Sequence, residues 1–287
     1  MSAETLLAEE GRIRLTVFLA VLAAMALWEL AAPRRRLDIP RVIRWTNNIA
    51  LVVLDTVIVR LVFPVLAVGA AIWAESQGVG LLPLLGISGA VAVIAALLVL
   101  DLAIWMQHRL FHAVPFLWRL HRVHHADLDF DVTTGLRFDP VEILLSMAIK
   151  VVVVVVLGAP PVAVLLFEVI LSATALFNHA NIGLGDRAER WLRMIVVTPD
   201  MHRVHHSVFP EETNSNFGFN LPWWDRLFGT YRAQPRDGHE AMTIGIRGHA
   251  DPSEVAHLPG MLLMPFRGEA GGYAINRRHW PGGNAAS

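Results

Sequence analysis

The sequence predicts an all-α, polytopic membrane protein: about four to five membrane helices or hairpins, with a cytoplasmic helical cap that carries histidine clusters. Three observations predict it. Of 287 residues, 54% are hydrophobic and only 17% are charged, with a mean hydropathy of +0.48, too apolar for an ordinary soluble domain. Apolar stretches recur at the length of about 20 residues that crosses a hydrocarbon core. Nine of the thirteen histidines gather in four short groups beside those stretches.

The first stretch runs from about Ile13 to Ala32 and ends at Pro33-Arg-Arg-Arg36. It follows an acidic start (Glu4, Glu9, Glu10) and lacks both a basic leader and a small-residue cleavage site, so it reads as a retained helix. The second covers about Asn48 to Trp73 and carries Asp55 and Arg60, intramembrane charges of the kind that face a polar interior and often mark function. The third spans about Leu81 to Met106. A fourth apolar region, 141–178, is broken at Gly158-Ala-Pro-Pro161 and predicts two helices joined by a tight turn. Its valine run at 151–156 has strand propensity. An open strand edge is not tolerated in lipid, so the helical reading stands.

Residues 33–45 hold Arg34, Arg35, Arg36, Arg41 and Arg44, whereas 74–83 hold no Lys or Arg. Positive residues favour the cytoplasmic side, which puts 33–45 inside and 74–83 outside. The third stretch then delivers His108 inward, and the 141–178 hairpin returns His179 to the same face. The expected division is a single domain over 1–287, with membrane-embedded helices at 13–185, a cytoplasmic cap at 186–235 and a Gly/Pro-rich tail at 236–287. The cap segment Trp223-Trp224-Asp225-Arg226 suits either the headgroup level or a lid packed over the site.

Composition also excludes. Net charge is −1 with no basic interleaved motif, which argues against nucleic acid. The absence of cysteine removes disulfides, thiolate zinc sites, iron–sulfur clusters and a cysteine nucleophile.

The histidines carry the chemistry. His-Arg-Val-His-His occurs at 121–125 and again at 202–206, preceded by His108 and His112 and accompanied by His179. Residues three and four apart share a helical face, so His108/His112, His121/His124/His125 and His202/His205/His206 each point one way. Pro115 and Thr198-Pro199 supply helix starts for the two copies. A lone His-x-x-x-His is ordinarily coincidence; two identical pentapeptides beside it are not. Packing asks for no such array, whereas metal ligation does, with iron, zinc, copper and nickel all open on spacing alone. His239, His249, His257 and His279 are scattered and read as surface or structural. Ligating imidazoles use their second nitrogen on a carboxylate or carbonyl, for which Asp127, Asp129, Asp200 and Asn216 are candidates. Asp139-Pro-Val-Glu142 has the form of a capping box, so Asp139 is either a helix cap or a further ligand.

These residues resemble the fatty acid hydroxylase superfamily, in its bacterial sterol-desaturase-like branch. The resemblance rests on the three histidine motifs. It also rests on Asp131-Val-Thr-Thr-Gly-Leu-Arg-Phe138, Phe177-Asn-His-Ala-Asn181 and the 214–231 segment ending Trp-Trp-Asp-Arg-Leu-Phe-Gly-Thr-Tyr231, and it covers about 45–235. Many relatives have His-Pro where this chain has Asp139-Pro140. The resemblance implies a di-iron centre without haem, O2 as co-substrate and a membrane lipid substrate. With no flavin, nicotinamide or haem signature in the chain, a separate electron-donor protein is implied, a reductase with ferredoxin or cytochrome. The location expected is the bacterial inner membrane, with the histidine clusters cytoplasmic. The rivals are a non-redox zinc hydrolase on the same ligands, a metal carrier, and a catalytically silent lipid- or metal-binding protein.

Overall fold

The computed structural model describes residues 3–268 and 272–275, so His279 lies outside the described residues. Among the described residues the regular structure is helical, and extended backbone pairs in one isolated bridge, Ser207 with Ile244. Five segments are long and apolar enough to cross a bilayer: Thr5–Ala31, Arg41–Leu84, Gly89–Ala113, Pro140–Leu157 and Pro161–Asn178. The protein is an all-α membrane protein.

Helix α1 (Ala3–Ala31) starts well before Ile13. The extra turns are held by packing, since Leu6 is buried in one apolar cluster with Leu82, Leu157 and Ala159. The single helix expected over 48–73 is in fact two, α2 (Arg41–Val62) and α3 (Ala67–Ser76). Pro64 lacks a donor and clashes with the preceding turn, and the last helical bond runs from Phe63 N–H to the Val59 carbonyl at 2.8 Å. The stretch expected over 81–106 is likewise divided. A single turn, α4 (Leu81–Leu84), is separated from α5 (Gly89–Ala113) by Gly86 and Gly89 at φ 69° and 61°. Helix α5 continues past Met106 to Ala113, which puts His108 and His112 on the same rod.

Helix α6 (Pro115–His125) opens on its proline, as expected, and a 3₁₀ turn follows at Val132–Leu136. The 141–178 hairpin forms as α7 (Pro140–Leu157) and α8 (Pro161–Asn178), turning at Gly158 with φ 64°. The valine run is helical.

The polar ends fix the direction of each pass. At the end of α1, Glu29 accepts the N–H groups of Val132 and Asn181, both at 3.0 Å. At the start of α2, buried Arg44 bonds Asp127 and Asp131. The end of α5, the start of α7 and the end of α8 meet at the same level through His108, Glu142 and His179. At the opposite end Gly80 lies against Gly158, so close that a Cβ on Gly80 would sit 2.2 Å from the Gly158 Cα. Helices α2 and α3 thus form one broken pass, and all five passes bring a polar end to one side.

Short helices close that side: α9 (Asp186–Leu192), α10 (Pro199–His205), α11 (Pro210–Thr213) and α12 (Trp223–Leu227), then α13 (Gly238–Ala241), α14 (Pro252–Val255) and α15 (Leu258–Leu263). Trp224 pins α12 to the bundle by donating Nε1–H to Asp101 of α5 at 2.8 Å. The described part of the tail packs on the bundle, with Met261, Met264 and Tyr273 buried beside Trp118 and Val123 of α6.

Candidate metal centre

All nine clustered histidines are buried, none more than 3% exposed, and they converge from four places in the chain. His108 and His112 come from α5, His121, His124 and His125 from α6, and His179 from the C-terminal cap of α8. His202 and His205 come from α10, with His206 as its cap. Thr198 starts α10 by accepting the Met201 N–H at 3.3 Å. The ring nitrogens form two groups: His108, His112, His121, His125 and His205 in one, and His124, His179, His202 and His206 in the other, with ligand atoms within 4.8 Å of one another in each.

The hydrogen bonds assign the protons. A carbonyl oxygen only accepts, so a ring nitrogen facing one carries the N–H. His108 Nδ1 donates to the Phe217 carbonyl at 2.8 Å and His205 Nδ1 to that of Ser215 at 2.7 Å. His179 Nδ1 donates to the Ala175 carbonyl at 2.7 Å and His124 Nδ1 to that of Arg137 at 3.2 Å. His121 Nδ1 lies 2.6 Å from the Glu142 carboxylate. Each of these neutral rings therefore presents a bare Nε2 lone pair. Those lone pairs face each other: His108 to His205 at 3.0 Å, His108 to His121 at 3.1 Å, and His124 to His179 at 3.2 Å. Lone pairs at that separation repel unless a cation lies between them. Further ring nitrogens of His112, His125, His202 and His206 are buried with no hydrogen-bond partner among the described residues. The donor set fits metal ions, and nitrogen-only ligation suits a transition metal.

Burial keeps the rings neutral. It pushes His121 down to about 3 and His179 to about 4. Burial, reinforced by neighbouring imidazoles, also holds His124, His125, His202, His205 and His206 well below the ordinary value. Neutral imidazole is the ligating form, so the fold has already met the cost of deprotonation.

The carboxylates and amide proposed as partners of the second nitrogens do other work. Asp127 bonds Arg44 at 2.8 Å and Thr134 at 2.9 Å; burial pushes its pKa up, but Arg44 and Arg137 outweigh that and hold it at about 2. Asp129 accepts the N–H groups of Asp38 and Ile39, and Asp200 pairs with Arg203. Asn216, at φ 52°, ties the Met201 and Arg232 backbones together. Asp139 belongs to neither imidazole group and caps α7, accepting the Val141 N–H at 2.8 Å. The second nitrogens instead meet mainly backbone carbonyls, which no side-chain motif reveals, together with Asn214, 3.1 Å from His112, and Glu142.

Two residues that motif reading left unassigned shape the site. Asp225 accepts from Trp105 Nε1 (2.9 Å), Phe217 N (2.9 Å), Gly218 N (2.8 Å) and Thr230 Oγ1 (2.6 Å). It thereby sets the loop whose Phe217 carbonyl orients His108. At Gly135 a Cβ would lie 2.8 Å from the Ala175 carbonyl oxygen and 3.1 Å from His179 Nδ1. Only glycine lets the 3₁₀ turn pass there. A cavity of about 370 Å³ adjoins the first group, reaching His108 and His121 at one end and Arg14, Lys150 and Glu168 at the other.

Residues 93–230 match the family model described as fatty acid hydroxylase. The chain is 33% identical over 174 residues to an ornithine lipid hydroxylase of Rhizobium tropici, covering 61% of this chain and 50% of that one. It is 29% identical over 140 residues to alkylglycerol monooxygenase of Homo sapiens, 49% of this chain and 30% of that. It is 28% identical over 149 residues to cholesterol 25-hydroxylase of Rattus norvegicus, 50% of this chain and 47% of that. The chain thus spans half or less of the length of these relatives. No solved structure matches it.

Proposed function

We propose, on the match of residues 93–230 to the fatty acid hydroxylase family model, that the chain is a membrane-bound oxygenase of that family with a non-haem di-iron centre, which uses O2 and external electrons to hydroxylate or desaturate a lipid-like substrate. The observation that carries the reading is the pair of imidazole groups whose bare nitrogens face one another beside an apolar cavity. His108, His112, His121, His125 and His205 would hold one iron, and His124, His179, His202 and His206 the other. Bound there, the metals supply an oxidant stronger than any side chain provides.

The protein's own groups do the rest. Backbone carbonyls and Glu142 hold the rings in one tautomer and one orientation. Phe138 stacks on His124 with ring centroids 4.6 Å apart, and Phe217 packs edge-on against His108, His112 and His205; both exclude water. The cavity admits substrate from among the membrane passes. In hydroxylation one oxygen atom of O2 enters a C–H bond and the other leaves as water, consuming two electrons and two protons; in desaturation both oxygens leave as water, taking up two substrate hydrogens together with the same two external electrons and two protons. The electrons come from a separate donor protein, a reductase with ferredoxin or cytochrome. We place the protein in the bacterial inner membrane with the histidine end in the cytoplasm, on the arginine asymmetry of 33–45 against 74–83. The segment 186–235 then serves as the cap of a single domain.

The test is metal analysis of the purified chain, followed by lipid mass spectrometry after incubation with O2 and reductant. Close to two irons per chain is expected, with product that gains one oxygen or loses two hydrogens. His124→Ala and His205→Ala should lose both metal and product while still inserting in the membrane. Stoichiometric zinc with full activity would overturn the iron assignment.

A further inference from the structure

We propose that Asp55, with Gln107 and Ser146, is a hydrogen-bonding station for the substrate, and that the substrate is an amphiphile oxidised a few bonds from a hydroxyl, amide N–H or ammonium donor. This rests on the hydroxylase reading and names the kind of lipid it takes.

The cavity beside His108 and His121 is walled mainly by apolar side chains, among them Phe18, Val59, Phe111, Leu136 and Met147. Its polar residues differ in whether they are partnered. Glu168, far from the histidines, is matched by Lys150 at 2.9 Å and Arg14 at 3.1 Å. Ser146 accepts from Gln107 Nε2 at 2.7 Å. Asp55 is different. It is 3% exposed, it lines the cavity, and neither carboxylate oxygen has a hydrogen-bond partner among the described residues. The Gln107 Oε1 is also buried and unpartnered. Arg14 and Lys150, which line the same cavity, pair with Glu168 and not with Asp55.

Buried polar groups are ordinarily bonded, and an ionisable residue inside a membrane pass ordinarily faces a partner or a pathway. Here the space in front of the acceptors is the cavity itself. The missing donor therefore arrives with the occupant. Its level is fixed as well. Gln107 directly precedes His108, and Ser146 lies one turn from Glu142, about 6 Å along the axis; Glu142 in turn bonds His121. A lipid held by its donor group at this level brings a carbon only a few bonds away to the imidazoles, and its remaining chain fills the apolar wall. Selectivity follows because an analogue without the donor leaves Asp55 buried and unpaired.

Binding of radiolabelled 1-hexadecanol, hexadecylamine and hexadecane to the purified full-length protein, under argon so that nothing turns over, tests the proposal. The wild type should hold the alcohol and the amine about tenfold more tightly than the alkane, the effect of one net hydrogen bond. Asp55→Leu should level all three. Asp55→Asn, which keeps the size and an acceptor, should retain the preference for alcohol and lose that for amine. Unchanged metal content in both variants shows that they are folded. Equal or no binding of the three by the wild type, or a preference surviving in Asp55→Leu, overturns the station. If the preference and its loss are seen but the metal-loaded protein oxygenates none of the probes and no membrane lipid, the hydroxylase reading fails and the station stands.

Discussion

Gly135→Ala adds one methyl group where the structure has no room for it. The new Cβ would sit 2.8 Å from the Ala175 carbonyl oxygen, 3.1 Å from His179 Nδ1 and 3.3 Å from His179 Cγ. The first atom is helical backbone near the end of α8, and the other two belong to a fully buried ring. Neither is the free end of a flexible side chain, so relief requires moving the 3₁₀ turn, the end of α8 or His179 itself. The turn resists, because Asp131 and Thr134 cap it reciprocally and Arg44 bonds both. Overpacking of this kind costs about 1–3 kcal/mol. The ring that yields is His179, whose bond to Ala175 is the one being wedged apart. The loss should therefore fall on the four-histidine group and spare the five-histidine group. Inductively coupled plasma mass spectrometry should show metal dropping from two toward one per chain, with a thermal midpoint lowered by a few degrees. Two metals and an unchanged midpoint in Gly135→Ala would refute the steric argument.

Three other substitutions separate the roles of buried charge. Glu142→Leu leaves the His121 Nδ1–H without its acceptor and frees the ring to take the wrong tautomer, so metal affinity should fall by about 10–100-fold, with Glu142→Gln recovering much of it; equal titration curves for Leu and wild type would exclude the orienting role. Arg44→Met strands Asp127 and Asp131, buried to 1% and 0% exposure, and should cost about 3–5 kcal/mol, since one half of a buried ion pair is left uncompensated; full thermal stability in detergent would contradict this. Asp139 is raised to about 6, chiefly by burial. A raised folded value means stability that is complete below the unfolded pKa and lost as pH rises through about 6. Asp139→Asn keeps the cap acceptor without the charge, so it should raise the thermal midpoint at pH 7.5 and leave it unchanged near pH 4, while Asp139→Ala loses about 1 kcal/mol of capping with its metal intact. Metal loss in a folded Ala variant would make Asp139 a ligand instead.

Much of the fold was legible because lipid leaves few options. The hairpin break at Gly158-Ala-Pro-Pro161, the helical valine run and the proline starts of α6 and α10 follow from local chemistry that nothing in the tertiary structure overrides. The breaks within the second and third apolar stretches have the same local origin. Pro64 stood in the sequence as a helix breaker, but a sliding apolar window passes over it, since the residues on both sides remain hydrophobic. Gly86 and Gly89 were hidden in the same way. The early start of α1 was different in kind. Glu9 and Glu10 look like a polar flank, yet Leu6 packs into the core, and this depends on the packing of α1 against α8 and α3, which no local pattern encodes.

The site shows where sequence stops informing. Ligand types and spacing were readable because helical periodicity converts i, i+3, i+4 into one face, and nine imidazoles on such faces have few other purposes. Carboxylates nearby in sequence are the natural side-chain supports for such rings, but four of the nine rings are held by the carbonyls of Phe217, Ser215, Ala175 and Arg137. A carbonyl is present at every residue, so its role is set only by where the backbone goes. Asp127, Asp200 and Asn216 act one step further out, on the backbone and on Arg44 and Arg203. Asp225 belongs with them, since it fixes four donors to place one carbonyl. The same logic explains why Glu142 escaped notice: its position in a capping box supplied a sufficient local reason for an acidic residue. Its bond to His121 arises only because α6 and α7 meet at the polar end of the bundle. What spacing encodes is the set of rings; what folding adds is the tautomer of each, and the tautomer decides whether a ring nitrogen offers a lone pair.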